Sequence, residues 1–285
     1  MFIPLKIMEE KLKQLLAEDV GQGDVTSVVV IPSNLAVEAT VLAKEAGTAA
    51  GIEETEILAK GLGLNVETKV TDGDEIRKGK ILLKLSGDAQ TILSAERTIL
   101  NLLSRMSGIA TATRKLTEKL RKARATAKIA ATRKTALGLS YFDKKAVLIG
   151  GGDPHRLRLD DMVLIKDNHV AIVGSVENAV RKAKQGASFS KKIEVEVTSI
   201  ADALKAAKAG ADIVMLDNFS PKLVRETVEA LKKAGFFGKI LLEISGGITE
   251  QNLLEYASTP VDIISMGTLT HSVKALDVSL EIAKF

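Results

Sequence analysis

From Lys128 onward the chain repeats one rhythm: a short apolar run, a few polar or glycine residues, then an amphipathic helix. The runs are "AKIAATRK", "DMVLIKDN", "KIEVEVTS", "ADIVMLDN", "KILLEISGG" and "VDIISMGT", with "SVENAVRKAKQG", "IADALKAAKAG" and "PKLVRETVEALKKAG" between them. Strands joined by helical crossovers run parallel, and helices then cover the faces of their sheet. An α/β fold is therefore expected. Each run also ends in chemically capable residues: Arg133 and Lys134, Lys166, Glu196, Asp217, Ser245 and Ser265. That placement favours an α/β barrel, whose sites assemble at the C-terminal strand ends, over a doubly wound open sheet. Six runs do not by themselves specify closure.

The first third reads differently. Leu5 to Ala17 has helical apolar spacing, "EDVGQGDVTS" reads as a loop, and "LAVEATVLAKEAGTAAGI" alternates as a strand does and turns at Gly47. "VTDGDEIRKGKILLKLSG" carries two turn signals between short alternating runs. A long helix follows from about Ser94, its apolar stripe made by Ile99, Leu100, Leu102, Leu103, Met106 and Ile109. The expected division is an N-terminal α/β domain over 1–108 and a barrel over 109–270, with a C-terminal helix over about 271–285 packing back on the first domain.

Charge narrows the partners. Between Arg97 and Lys166 there are 16 Lys and Arg against 5 Asp and Glu, while the rest of the chain carries 24 against 31. A basic segment in an otherwise acidic chain points to an anionic ligand. The chain has no cysteine, which excludes thiolate metal sites and cysteine nucleophiles, and no apolar run approaches the roughly 20 residues of a membrane span. An intracellular, cytoplasmic protein is expected.

Three constellations carry chemistry. In "IEVEV", Glu194 and Glu196 share a face, so in a barrel strand both would need cations or a polar ligand; an edge strand with a wet face is the alternative. Asp217 repeats the pattern of an acid closing an apolar strand. Arg133, Lys134, His155, Arg156 and Lys166 lie at strand ends or in Gly-rich connections and suit a multiply charged substrate. Finally, "ISGGITE", with Ser245, Gly246 and Gly247, and "SMGTLT", with Ser265, Met266 and Gly267, follow the last two runs, where barrels often bind phosphate. His169 and His271 read equally well as capping or packing residues. No HExxH or clustered His/Cys pattern is present.

Taken in order, "TRKT" (Thr132–Thr135), "GGGDPHR" (Gly150–Arg156), "DMVLIKDNH" (Asp161–His169), "IEVEV", "IVMLDN" and "EISGGI" resemble the quinolinate phosphoribosyltransferases, as do "GDVTS" and "AERTILNLLSRMSGIAT". The resemblance implies an N-terminal α/β domain plus an incomplete, seven-stranded α/β barrel. It implies transfer of phosphoribosyl from phosphoribosyl pyrophosphate to quinolinate with loss of CO2, giving nicotinate mononucleotide for NAD biosynthesis. By motif, Thr132, Arg133, Lys134, His155, Arg156 and Lys166 would hold quinolinate, together with Arg97 from a neighbouring subunit of a dimer or larger assembly. Glu196 and Asp217 would face the ribose and magnesium, and Lys134 and Lys166 would act beside them. Ser245–Gly247 and Ser265–Gly267 would take the 5′-phosphate. The chain departs from the pattern after "TRKT", where the family usually has a proline and then "GLR"; Leu137 and Ser140 stand there instead. A branch associated with molybdenum transport typically lacks "KDNH", so Lys166–His169 favour the quinolinate enzyme. A phosphoribosyltransferase for another pyridine acid, and a non-enzymatic anion-binding barrel, are the remaining alternatives.

Overall fold

The computed structural model describes residues 3–283, which fall into two compact units. Unit 1 comprises the chain up to Ala112, Leu148–Gly150 and the chain from Val273; unit 2 comprises Thr113–Val147 and Gly151–Ser272.

Unit 1 opens with α1 (Leu5–Val20) and α2 (Val25–Val30). The stretch expected to be a loop thus ends in a helix, because the Asp24 carboxylate accepts the Ser27 amide at 3.0 Å and caps its first turn. β1 (Ala36–Ala43), β2 (Gly47–Thr48), α3 (Ile52–Gly61), β3 (Asn65–Thr68), β4 (Glu75–Ile76) and β5 (Ile81–Asp88) follow. In β1 the alternation read from sequence is real: Val37, Ala39, Val41 and Ala43 are buried. α4 (Ala89–Lys122) begins in unit 1 and ends in unit 2, and all six residues of its expected apolar stripe are buried.

Unit 2 continues with β6 (Lys128–Ala130), α5 (Ser140–Ile149), β7 (Val163–Ile165), α6 (Asp167–Val173), α7 (Val176–Gly186), β8 (Ile193–Val197), α8 (Ile200–Ala209), β9 (Ile213–Asp217), α9 (Pro221–Lys233), β10 (Leu241–Ser245), α10 (Leu253–Ala257), β11 (Ile263–Ser265) and α11 (Thr268–His271). Ser175, Ser199 and Ser220 start α7, α8 and α9, each hydroxyl accepting a first-turn amide. The six strands pair in parallel in the order β6-β11-β10-β9-β8-β7. The sheet has six strands and not the seven expected; Ala130 makes only an isolated parallel bridge to Asp153. Arg133 just beyond β6 and Lys166 just beyond β7 line one cavity, although β6 and β7 are the edges of the sheet. A flat six-stranded sheet would hold its edges roughly 24 Å apart, so this one is curled.

The C-terminal helix expected over 271–285 is not what forms. α11 ends at His271, and the chain then runs extended into β12 (Val278–Ile282), which pairs antiparallel with β1; the last two residues lie outside the described ones. "VSLEI" is β-branched and alternating rather than helical in pattern, and β1 had an open edge to receive it. The resulting sheet has the order β12-β1-β5-β3. Among the described residues no helix is long and apolar enough to cross a membrane.

The approach to β12 leaves a test. A Cβ on Gly108 of α4 would lie 2.2 Å from the Lys274 carbonyl oxygen and 3.1 Å from Ala275 Cα. Alanine gains about 1 kcal/mol of helix propensity over glycine, but this contact is with backbone and cannot be relieved by a rotamer. Gly108→Ala is therefore expected to lower stability by about 1–3 kcal/mol. Urea unfolding showing equal or greater stability would contradict the close packing.

Candidate active site

Parallel pairing sets which side chains reach the cavity. Glu196 of β8 stands beside Met215 of β9, and Met215 beside Glu243 of β10; one step of two further, Asp217 stands beside Ser245. With a side-chain period of two, Leu164 and Lys166, Glu194 and Glu196, Met215 and Asp217, and Glu243 and Ser245 all point to one face. All of these except Glu194 line a cavity of about 490 Å³ at the C-terminal strand ends. Thr132, Arg133, Lys134, His155, Arg156, Gly246, Gly247, Asn218 and Ser265 complete most of its wall. A second cavity, about 700 Å³, lies toward the other ends of the strands, with Met162, Ile213, Leu241 and Ile263 in its wall. It is larger, but the convergent charges are in the first.

The cations gather where the sheet's two edges meet the cavity: Arg133 and Lys134 after β6, Arg156, and Lys166 after β7. Arg156 is buried, and the charges of Glu194 and Asp161 act on it without an ion-pair contact to its guanidinium among the described residues. Its pKa is lowered, first by burial and then by the charge of Arg133. Two guanidiniums that repel each other on the wall of one cavity favour an anionic ligand. Thr270 anchors the backbone of Lys134, its hydroxyl donating to the Lys134 carbonyl at 2.8 Å. Lys166 Nζ lies 2.8 Å from Glu196. His169 is a cap: its Nδ1 accepts the Lys166 amide at 2.9 Å and so fixes the start of α6.

Next around the wall stand Glu196 and Asp217. The Asp217 pKa is raised by burial and then by the charge of Glu196, while Asn218 donates to its carboxylate at 2.7 Å. Beyond them Asn218, Gly246 and Gly247 all have positive φ, at 56°, 93° and 62°. A Cβ on Gly246 would come within 2.2 Å of Asn218 Oδ1, so this turn requires glycine. The helix after this loop starts only at Leu253 and runs five residues, so its dipole adds little; the turn itself supplies the concavity.

Beneath the cations is a group that sequence reading only half caught. β8 is no wet edge strand: it lies between β7 and β9, and Glu194 is completely buried. His155 Nε2 is 3.1 Å from Glu243 and 3.3 Å from Glu194, and Ser265 donates its hydroxyl to Glu243. The Glu243 contact has hydrogen-bond geometry. The Glu194 contact has only ion-pair distance, and both Glu194 oxygens are without a hydrogen bond. Burial and the charge of Glu243 raise the Glu194 pKa. Burial alone would lower His155, but the two carboxylates outweigh it and lift it to about 10. The cluster thus retains a proton at neutral pH. Because the Arg156 amide donates to His155 Nδ1 at 2.8 Å, the ring presents its N–H at Nε2, toward the carboxylates. His155, Glu194 and Glu243 also have the spacing of a metal site, where an ion would have to displace the Nε2 proton. Glu243 carried a legible signal: it has the inward parity of Ser245 within the apolar run "LLEIS".

Met266, which is buried, and Gly267 lie outside this cavity wall, and Arg97, expected at a neighbouring subunit's site, is not part of it; Arg97 is an exposed residue of α4 in unit 1. Gly267 instead packs between His271 and Lys134.

A cationic end, an acid pair and a glycine turn on one cavity at the C-terminal ends of parallel strands define an α/β enzyme site for a small polyanion. Comparison with known proteins agrees. The sequence profile of the quinolinate phosphoribosyl transferase N-terminal domain matches residues 24–107, and that of the C-terminal domain matches residues 109–281. The chain belongs to the quinolinate phosphoribosyltransferase family. It is 47% identical over 275 residues to a probable carboxylating nicotinate-nucleotide pyrophosphorylase of Methanothermobacter thermautotrophicus, covering 96% of this chain and 99% of the relative. The human carboxylating nicotinate-nucleotide pyrophosphorylase is 40% identical over 245 residues, covering 86% and 82%. The crystal structure of NadC from Streptococcus pyogenes matches with a TM-score of 0.89 at 34% identity, both chains being covered in full.

The glycine turn is testable by contrast. Gly246→Ala should cost about 1–3 kcal/mol through strain and the clash with Asn218. Gly247→Ala, with nothing within 4 Å of its Cβ, should cost less. Equal losses in urea unfolding would mean that the Asn218 contact is not what demands glycine.

Proposed function

We propose that this protein transfers the phosphoribosyl group of phosphoribosyl pyrophosphate to quinolinate and releases pyrophosphate and CO2, forming nicotinate mononucleotide for NAD biosynthesis. The observation that carries this reading is the graded wall of the cavity: cations, then Glu196 and Asp217, then the glycine turn. Quinolinate has two adjacent carboxylates, and Arg133, Arg156 and Lys166 answer them, with Thr132 and Lys134 beside them. The 5′-phosphate fits Ser245–Gly247, with Ser265 on the neighbouring strand beside them.

The chemistry follows from that order. The pyridine nitrogen attacks the anomeric carbon as its bond to pyrophosphate breaks, and positive charge grows on the ribose. Glu196 and Asp217 lie where that charge develops and stabilise it. The carboxylate next to the nitrogen then leaves as CO2, and the electron pair left on carbon takes a proton. Holding the acid in register and excluding water matter more here than a strong base. His155, with both ring nitrogens engaged, serves in this reading as a strut for Arg156 more than as a direct contact.

Magnesium belongs to the same reading. Asp217 is raised partly by the neighbouring charge of Glu196, and two such hard oxygen donors suit a divalent cation shared with the substrate phosphates. When bound, it would neutralise the departing pyrophosphate. Self-association is also part of the proposal: Arg97 would enter the cavity of a neighbouring subunit in a dimer or larger assembly such as a hexamer. The four exposed valines of α2, Val25, Val28, Val29 and Val30, give unit 1 uncovered apolar surface in keeping with a partner. A cytoplasmic location completes it.

Incubating the protein with quinolinate, phosphoribosyl pyrophosphate and magnesium should yield nicotinate mononucleotide and CO2, and nicotinate should not replace quinolinate as acceptor. Arg133→Ala and Lys166→Ala should each lower kcat/KM at least about 100-fold with the fold intact; wild-type rates in both would overturn the assignment of the cavity. Mixing Arg97→Ala with Lys166→Ala subunits should restore part of the activity, since some sites then draw intact residues from both chains. No restoration would place the site within one subunit.

A further inference from the structure

Behind the cavity a buried cation holds the turn that carries Arg156. Lys144 of α5 is completely buried and is not part of the cavity wall. Its Nζ donates to the carbonyl of Pro154 and, at 3.0 Å, to the carbonyl of Arg156. Those two carbonyls bracket His155, whose φ of 53° is left-handed and strained for a residue with a side chain. Two further bonds fix the same turn: the His155 amide donates to Asp153 Oδ1 at 2.7 Å, and the Arg156 amide donates to His155 Nδ1. An apolar residue would fill the Lys144 position without the cost of burying a charge. What only a cation on a long stem supplies is a pair of charge-assisted hydrogen bonds to two carbonyls at once.

We propose that Lys144 is a positioning residue for the acceptor acid: by gripping both carbonyls around His155 it aims the Arg156 guanidinium into the cavity and so governs quinolinate binding without touching the substrate. The proposal rests on the reading of Arg156 as a quinolinate contact.

The electrostatics add a signature. Burial, the largest influence, and the charges of Arg156 and Arg133 lower the Lys144 pKa, against the opposing pull of Asp153 and Asp161; the result is about 8. Below that pH the ammonium is intact and both bonds are charge-assisted. As pH rises through it, Nζ loses its proton and charge and the grip weakens. Quinolinate stays a dianion throughout, and His155, raised to about 10, changes later. Quinolinate affinity should therefore fall on the alkaline side, starting near pH 8.

The test is steady-state kinetics of Lys144→Met beside wild type and Arg156→Ala, together with calorimetric quinolinate binding to wild type from about pH 7 to about pH 9. In Lys144→Met the quinolinate KM should rise roughly 10- to 100-fold, with the KM for phosphoribosyl pyrophosphate unchanged. The alkaline fall in kcat/KM should also vanish, leaving a low, flat profile that general loosening of the fold would not produce. An unchanged quinolinate KM in folded Lys144→Met overturns the proposal, and so does wild-type affinity that stays flat over the pH range. The calorimetry decides the matter even if the variant fails to fold. If Arg156→Ala also leaves quinolinate binding intact, the reading of Arg156 has failed. If Arg156→Ala loses binding and Lys144→Met does not, only the role of Lys144 is lost.

Discussion

Two carboxylates at the centre of a parallel sheet set the terms for unit 2. Glu194 and Glu243 have no solvent exposure, and burying two negative charges side by side is too costly unless a proton or a cation joins them. His155 is what joins them. To reach both, it must sit on a turn whose backbone is strained, and Asp153 and Lys144 must hold that turn in place. The same turn delivers Arg156 to the cavity. The cationic end of the site is thus built outward from an acidic core, each layer of charge answering the one beneath it.

This layering gives the cavity an order of charge and not only a net charge. Its wall presents cations, then acids, then a glycine turn, because each strand contributes one inward residue at its end and the strands lie in a fixed order. A ligand with negative charge at both ends and a centre that becomes positive during reaction matches that order. A uniform polyanion such as nucleic acid would meet Glu196 and Asp217 midway.

Much of this was legible in the sequence. The βα rhythm and the functional residues closing each run follow from periodicity alone, since a side chain two positions from a cavity residue must face the same way. The motifs from Thr132 to Gly247 were specific enough to indicate the family. Less legible were features that depend on partners distant in the chain. Glu243 looks like one polar interruption of an apolar strand until His155 and Ser265 are seen against it. Lys144 reads as one of many lysines, because nothing local says that its stem is buried. The segment after His271 reads as a helix from sequence alone, because its fate depends on an open edge of β1 more than 200 residues earlier. Asp24 shows the opposite case, a short helix that its own local cap creates.

That return of the chain to β1 has a consequence for how the protein is made. Unit 2 is built almost wholly from one continuous stretch, so it can condense as soon as residues up to Ser272 have emerged. Unit 1, although most of it is synthesised first, waits with the edge of β1 open until residues 278–282 arrive, the longest-range pairing in its sheet. An open edge is where strands of other chains add. The part of the molecule that leaves the ribosome earliest is therefore the part exposed longest to mispairing, and it is completed last.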